Sequence, residues 1–70
     1  MTVRHTGRIL FYLEDKGYGY LRLAGTREEF HFRRKNLQFT NPVVGELVTF
    51  VIKKLKSGVC ADEITRAGLA

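Results

Sequence analysis

Residues 16–21 read Lys16-Gly17-Tyr18-Gly19-Tyr20-Leu21. In an extended strand, residues two apart lie on the same face, so Tyr18 and Tyr20 share one side of the predicted sheet. The glycines beside them leave that side open to a ligand or to a neighbouring backbone. Two phenol rings next to the cation Lys16 are suited to stacking on the bases of single-stranded RNA or DNA.

The flanking sequence predicts further strands. Apolar and β-branched runs between glycine-containing turns predict strands at residues 8–13, 18–23, 28–32, 47–54 and 59–66, with one turn of helix near residues 35–37. In the second strand, Leu21 and Leu23 lie on the face opposite the tyrosines, which gives one apolar face and one aromatic and basic face. The first strand contains consecutive apolar residues, so either both of its faces are covered or a β-bulge switches the face.

Five short strands predict a single all-β domain, ordered over about residues 5–66, that folds as a small five-stranded antiparallel barrel. Closure of the barrel would also pair the long strand at residues 47–54, which an open sheet would leave at an edge. An open three-stranded meander with a separate hairpin is the alternative. In either arrangement we expect Phe50 and Cys60 in the core.

The charge balance favours an anionic partner. Twelve Lys and Arg residues against seven Asp and Glu residues give the chain a net charge of +5, which raises its affinity for nucleic acid. No basic amphipathic helix is evident, so we do not expect membrane binding. The single cysteine excludes an internal disulfide, and residues 1–5 contain no apolar run typical of a signal peptide, so we expect a cytoplasmic protein.

Enzyme chemistry finds little support in the sequence. The chain has two histidines and one cysteine, which form no nucleophile–base motif and no metal-ligand spacing. The paired acidic residues fall at predicted turns or strand ends. We therefore expect no catalytic residues, no metal, no cofactor and no small-molecule substrate, and a monomer.

The order Gly7…Phe11-Tyr12…Lys16-Gly17-Tyr18-Gly19-Tyr20-Leu21 resembles the first strand and first ribonucleoprotein motif of the cold-shock domain. Residues 29–32, Glu-Phe-His-Phe, resemble the second motif of that family, and residues 45–50 resemble its fourth strand. The resemblance covers about residues 6–65. It implies a Greek-key barrel of the oligonucleotide/oligosaccharide-binding fold that binds single-stranded nucleic acid on strands two and three. It also implies a role as an RNA chaperone or as a modulator of transcription or translation.

The chain departs from the family pattern at several positions. Phe11 stands where the family usually has tryptophan, and Leu10 and Leu13 replace residues that are usually lysine and asparagine. The segment between residues 32 and 45 is shorter than in common bacterial members, and Arg33-Arg34-Lys35 replaces its usual serine-rich content. We therefore expect more phosphate contacts and less stacking than in the family.

Two registers are open for residues 29–32. Counting without gaps from Tyr20 places Phe30 and Phe32 on the binding face and turns Glu29 and His31 inward. A shift by one residue places His31 on the binding face and both phenylalanines in the core, since a one-residue slip inverts every side chain. We favour the ungapped count because the third strand is short and its ends lie near the rim of the barrel.

The predicted nucleic-acid-binding residues are aromatic side chains, one histidine and the neighbouring cations: Phe11, Lys16, Tyr18, Tyr20, Arg22, Phe30, His31, Phe32, Arg33, Arg34 and Phe39. The alternative function is a small barrel adaptor that docks on a protein or on the ribosome through the same face. Leu10 and Leu13 favour that alternative because they make the face more apolar.

Overall fold

The computed structural model describes residues 3–67, and within them it contains five strands and one 3-10 helix. The elements are β1 (His5–Leu13), β2 (Tyr18–Leu23), β3 (Glu29–Arg33), the 3-10 helix (Arg34–Asn36), β4 (Leu47–Leu55) and β5 (Gly58–Arg66). The five predicted strands are confirmed, although β1 begins at His5 rather than at residue 8. Met1, Thr2 and most of the small-residue tail, residues 68–70, lie outside the described residues.

The sheet closes into a barrel with the strand order β1-β2-β3-β5-β4, because β4 also pairs with β1. Four of the neighbouring pairs are antiparallel, and β3 and β5 pair in parallel where His31 faces Cys60. The predicted all-β, five-stranded closed barrel is confirmed, and the architecture is consistent with an oligonucleotide/oligosaccharide-binding fold. The open meander is excluded because no strand among residues 3–67 is left without two neighbours.

The core lies inside the barrel and receives side chains from all five strands. Its buried residues are Ile9, Leu21, Phe30, Phe32, Val48, Phe50, Ala61 and Ile64. Phe50 is fully buried and Cys60 is 8% exposed, as predicted. Burying one large apolar side chain contributes about 1.5–3 kcal/mol, so burial of this cluster stabilises the closed barrel.

A β-bulge interrupts β1 and decides the question that its apolar run left open. Ile9 faces Leu21 and Phe11 faces Tyr20, so Leu10 is an additional residue on β1. Without the bulge, Ile9 and Phe11 would share a face, since side chains alternate along a strand. With it, Ile9 is buried while the Phe11 side chain lies on the outer surface, 38% exposed.

The favoured register of β3 is wrong, and the shifted register is the one observed. Tyr20 pairs with His31, and Leu21 pairs with Phe30. As a result Phe30 and Phe32 are 6% and 0% exposed and belong to the core, while Glu29 is exposed. The physical reason is burial: this register places two phenylalanines inside the barrel, whereas the other would bury a carboxylate and an imidazole without the partners they need.

Candidate functional site

Four rings form a continuous surface across three neighbouring strands. The centroid of the Phe11 ring lies 5.4 Å from that of Tyr20, Tyr20 lies 5.4 Å from His31, and His31 lies 5.6 Å from Tyr18. We call Phe11, Tyr18, Tyr20 and His31 the ring platform. All four residues keep part of their surface exposed to solvent, so ring faces and edges are accessible to a flat ligand.

Strand pairing sets the positions of these rings. Phe11 on β1 pairs with Tyr20 on β2, which in turn pairs with His31 on β3. Directly paired residues project to the same side of a sheet with their Cβ atoms about 4.5–5.5 Å apart. The bulge in β1 and the register of β3 therefore both contribute to the platform, one by turning Phe11 outward and the other by turning His31 outward.

Gly19, between the two tyrosines, lets the backbones of β1 and β2 approach each other. A Cβ atom at this position would lie 2.2 Å from the carbonyl oxygen of Phe11 and 3.0 Å from the Phe32 ring. No side chain fits there without moving the strands apart. The Gly-Tyr-Gly-Tyr pattern thus combines an open outer face with a close inner contact.

Cations surround the platform on two sides. Arg33 pairs with Tyr18 across β2 and β3 and is exposed, and Lys16 is exposed in the turn that precedes Tyr18. At the opposite end, the guanidinium of Arg22 lies 3.4 Å from the carboxylate of Glu29, and both side chains are half exposed. The predicted residues Lys16, Arg22 and Arg33 are therefore adjacent to the platform, but Glu29 partly neutralises the Arg22 end.

Arg34 is one of the residues predicted to contact nucleic acid, but its guanidinium is used within the protein. Its Nε atom donates a hydrogen bond of 3.1 Å to the hydroxyl of Tyr12, and an Nη atom donates to the carbonyl of Glu14. The hydrogen bond to Tyr12 raises the pKa of Arg34 above its ordinary value. The Tyr12 ring in turn stacks on Phe32 with an interplanar angle of 4°, so Arg34 links the turn after β1 to the core.

Phe39 also lies away from the ring platform. It packs against the core and carries the Arg66 guanidinium 4.4 Å from the centre of its ring. It lines a cleft together with Tyr12 and Arg34, whereas the platform residues line other parts of the surface. Of the eleven predicted site residues, the structure places six at neighbouring paired positions of β1, β2 and β3: Phe11, Tyr18, Tyr20, Arg22, His31 and Arg33. Lys16 lies in the turn that precedes Tyr18. Phe30 and Phe32 are in the core, and Arg34 and Phe39 are structural contacts elsewhere.

One supporting pair was not predicted from the sequence. Asn36 is buried; its side-chain oxygen accepts a 2.8 Å hydrogen bond from the backbone N–H of Arg33, and its amide nitrogen donates to Asp62 at 2.8 Å. This pair connects the end of β3 to β5 and so stabilises the parallel pairing of these two strands beside the platform. Nothing in the sequence around Asn36 indicates this role, because its partner Asp62 lies on the last strand.

The Asn36–Asp62 pair predicts an acid-sensitive stability. Partial burial by itself would raise the pKa of Asp62, but the hydrogen bonds from Asn36 and the Glu63 N–H, together with the charge of Lys53, hold that pKa below its ordinary value. Because the folded-state pKa is the lower one, this stabilisation is complete above the unfolded-state pKa and is lost as the pH falls through the folded-state pKa. Urea unfolding between neutral pH and about pH 3 is expected to show less loss of stability on acidification in Asp62→Asn than in the parent.

Asp15→Asn is the matched control for that measurement. Asp15 is exposed in the turn between β1 and β2, so this variant should retain the acid response of the parent. Equal acid responses of the parent and Asp62→Asn would contradict the assignment.

Comparisons with known proteins identify no family. No family model matches the chain, and no curated protein matches it. Among residues 3–67, no group of three or more His, Cys, Asp or Glu side chains comes together in a way that could hold a metal ion. The described part of the chain also has no helix that is long and apolar enough to cross a membrane.

Proposed function

We propose that the protein binds single-stranded RNA or DNA on the ring platform. The observation that carries this proposal is the unbroken run of four partly exposed rings over β1, β2 and β3, with ring centroids 5.4–5.6 Å apart. Stacking of a base on an aromatic side chain contributes about 1–3 kcal/mol and requires no particular base. Affinity without a strict sequence code is therefore expected.

Positive charge supports the same proposal. The net charge of +5 and the exposed cations Lys16 and Arg33 beside the platform suit a polymer with one phosphate for each base. The closed barrel and the rings on its second and third strands agree with the resemblance to the cold-shock domain. We propose a divergent cold-shock domain that acts without catalysis as an RNA chaperone or as a modulator of transcription or translation. We further propose that it works as a monomer in the cytoplasm.

A titration of the protein with labelled oligothymidylate and oligouridylate tests the proposal. Fluorescence anisotropy at low salt should give a Kd of about 1 μM or tighter, a free energy of about −8 kcal/mol. The logarithm of the association constant should fall linearly with the logarithm of the salt concentration, by about 0.7 for each phosphate neutralised. Binding weaker than micromolar for both polymers at low salt would refute the proposal.

Glu29→Gln is expected to strengthen binding about twofold to fivefold, because it removes a negative charge from the edge of the platform and releases Arg22 for phosphate contact. The exposed Arg22–Glu29 ion pair contributes about 0–1 kcal/mol to folding, so the variant should remain folded. Glu28→Gln is the matched control, since Glu28 is exposed but precedes β3. Equal affinities for both variants and the parent would show that Glu29 lies outside the footprint.

Docking on a protein partner is the second candidate. Leu13 pairs with Tyr18 and therefore extends the platform with an apolar side chain. A pull-down with and without nuclease separates the two functions. Partners that survive nuclease and are lost in Leu13→Ser would favour protein docking, whereas loss of all partners after nuclease favours nucleic acid.

A further inference from the structure

A cleft opens beside the ring platform, between β3 and the hairpin that joins β4 to β5. Its volume is about 410 Å³, which lies within the range of about 300–1,000 Å³ typical of small-ligand sites. His31 belongs both to the platform and to the lining of this cleft. A strand stacked on the platform could therefore continue into the cleft without crossing another element.

The cleft is basic. Its lining includes Arg33, Lys35 and Lys53 and, among residues 3–67, no carboxylate. Asp62 lies 3.7 Å from the ammonium of Lys53, whose side chain is nevertheless 60% exposed. Because most of the Lys53 side chain is exposed and an ammonium carries three N–H donors, Lys53 can donate to a phosphate while it stays beside Asp62.

The walls of the cleft also offer apolar surface. Leu55 and Val59 lie on the two strands of the hairpin, line the cleft and are 49% and 47% exposed. Three cations next to exposed aliphatic side chains match the chemistry of one nucleotide, with a charged phosphate and a base that has apolar faces.

The opposite end of the platform is less suitable for a phosphate chain. There Arg22 is paired with Glu29, and Arg8 donates a hydrogen bond of 3.0 Å to the carbonyl of Gly45. The cations at that end are thus partly occupied, and the half-exposed Glu29 carboxylate adds a negative charge there. The electrostatic gradient along the face runs from Glu29 toward Arg33, Lys35 and Lys53.

We propose that a bound single strand leaves the platform at His31 and enters this cleft, where Arg33, Lys35 and Lys53 hold its phosphates and Leu55 and Val59 contact a base. This inference rests on the proposed function of the platform and extends its footprint. The bound strand then extends beyond the platform in one direction only, past β3 into the cleft, and does not extend past the Arg22–Glu29 pair.

Oligothymidylates of two lengths test the extension: one of about three nucleotides, which the platform alone can hold, and one of about seven, which can also reach the cleft. The double variant Lys35→Ala/Lys53→Ala should weaken the longer strand about fivefold and lower its salt slope by about 1.4, or 0.7 for each phosphate that is no longer neutralised. The shorter strand should keep the affinity of the parent within about twofold. Amide signals of residues 57–60 should shift on addition of the longer strand only.

Lys54→Ala/Lys56→Ala is the matched control. It also removes two positive charges, both from the β4–β5 hairpin that carries Lys53, but neither residue lines the cleft. Equal losses of affinity in the two double variants, or equal losses for both strand lengths, would refute binding in the cleft and indicate a general charge effect. If Tyr18→Ala/Tyr20→Ala abolishes binding while Lys35→Ala/Lys53→Ala changes nothing, the proposed binding in the cleft is refuted and binding on the platform is supported. If the parent binds neither strand, both proposals fail.

Discussion

The double variant Tyr18→Ala/Tyr20→Ala is expected to bind oligothymidylate at least about 30-fold more weakly than the parent. Each stacked base contributes about 1–3 kcal/mol, so removal of two rings takes about 2 kcal/mol or more from the free energy of binding. The double variant should lose more affinity than either single variant, because each ring offers its own stacking surface. Tyr20 lies in the middle of the platform, where its ring contacts both Phe11 and His31. Fluorescence anisotropy at a fixed low salt concentration measures the effect.

The matched control keeps the rings and removes only their hydroxyl groups. Tyr18→Phe/Tyr20→Phe should retain the affinity of the parent within about threefold if stacking dominates. Both tyrosines are partly exposed, so the alanine variant should still unfold cooperatively, which thermal unfolding monitored by circular dichroism can check. A folded alanine variant with unchanged affinity would remove the platform from the binding surface.

The outward position of the tyrosines could be predicted because local alternation determines it. Leu21 and Leu23 provide an apolar face directly opposite, and in the structure Leu21 is fully buried while Leu23 packs against the core. Nothing beyond residues 18–23 was needed for that prediction. The same locality explains why the strand boundaries could be predicted to within a few residues.

The register of β3 was harder to predict because residues 29–32 alternate in either frame. The turn between β2 and β3 sets the frame: the Thr26 hydroxyl donates to the carbonyl of Leu23 and accepts from the N–H of Glu28, and the Leu23 N–H donates to the carbonyl of Glu28. A gap-free comparison with a family cannot detect a change in the length of a turn. The register is better predicted from the cost of burial: burying Glu29 and His31 costs free energy, whereas burying Phe30 and Phe32 gains it.

The remaining features depend on residues that are distant along the chain. Arg34 meets Tyr12 across 22 positions, and Asn36 meets Asp62 across 26. The pairing of β1, β2 and β3 brings Arg34 to Tyr12. Closure of the barrel brings Asn36 to Asp62 and places His31 beside the β4–β5 hairpin. Local pattern cannot distinguish the three residues of the basic run at 33–35. In the structure Arg34 bonds within the protein, whereas Arg33 and Lys35 line the cleft.

Phe32→Ala is expected to destabilise the protein by about 3–5 kcal/mol. Phe32 is fully buried, and it stacks on Tyr12 at a centroid distance of 5.9 Å and contacts the inner side of Gly19. At about 0.05–0.15 kcal/mol per residue, a domain of 70 residues has a total stability of about 4–10 kcal/mol. The variant should therefore be partly or fully unfolded at 25 °C, and urea unfolding at low temperature measures how much stability remains.

His31→Ala separates the two faces of the same strand. His31 is only partly buried and borders both the platform and the cleft, so its removal should cost about 1 kcal/mol or less in stability while it weakens binding about fivefold or more. Phe32→Leu keeps most of the buried volume and should remain folded, with a decrease in stability of about 1–2 kcal/mol and unchanged affinity. A folded Phe32→Leu variant that loses binding, next to a His31→Ala variant that binds normally, would contradict the observed register. The opposite result would assign Phe32 to folding and His31 to recognition, although the two residues are adjacent in the chain.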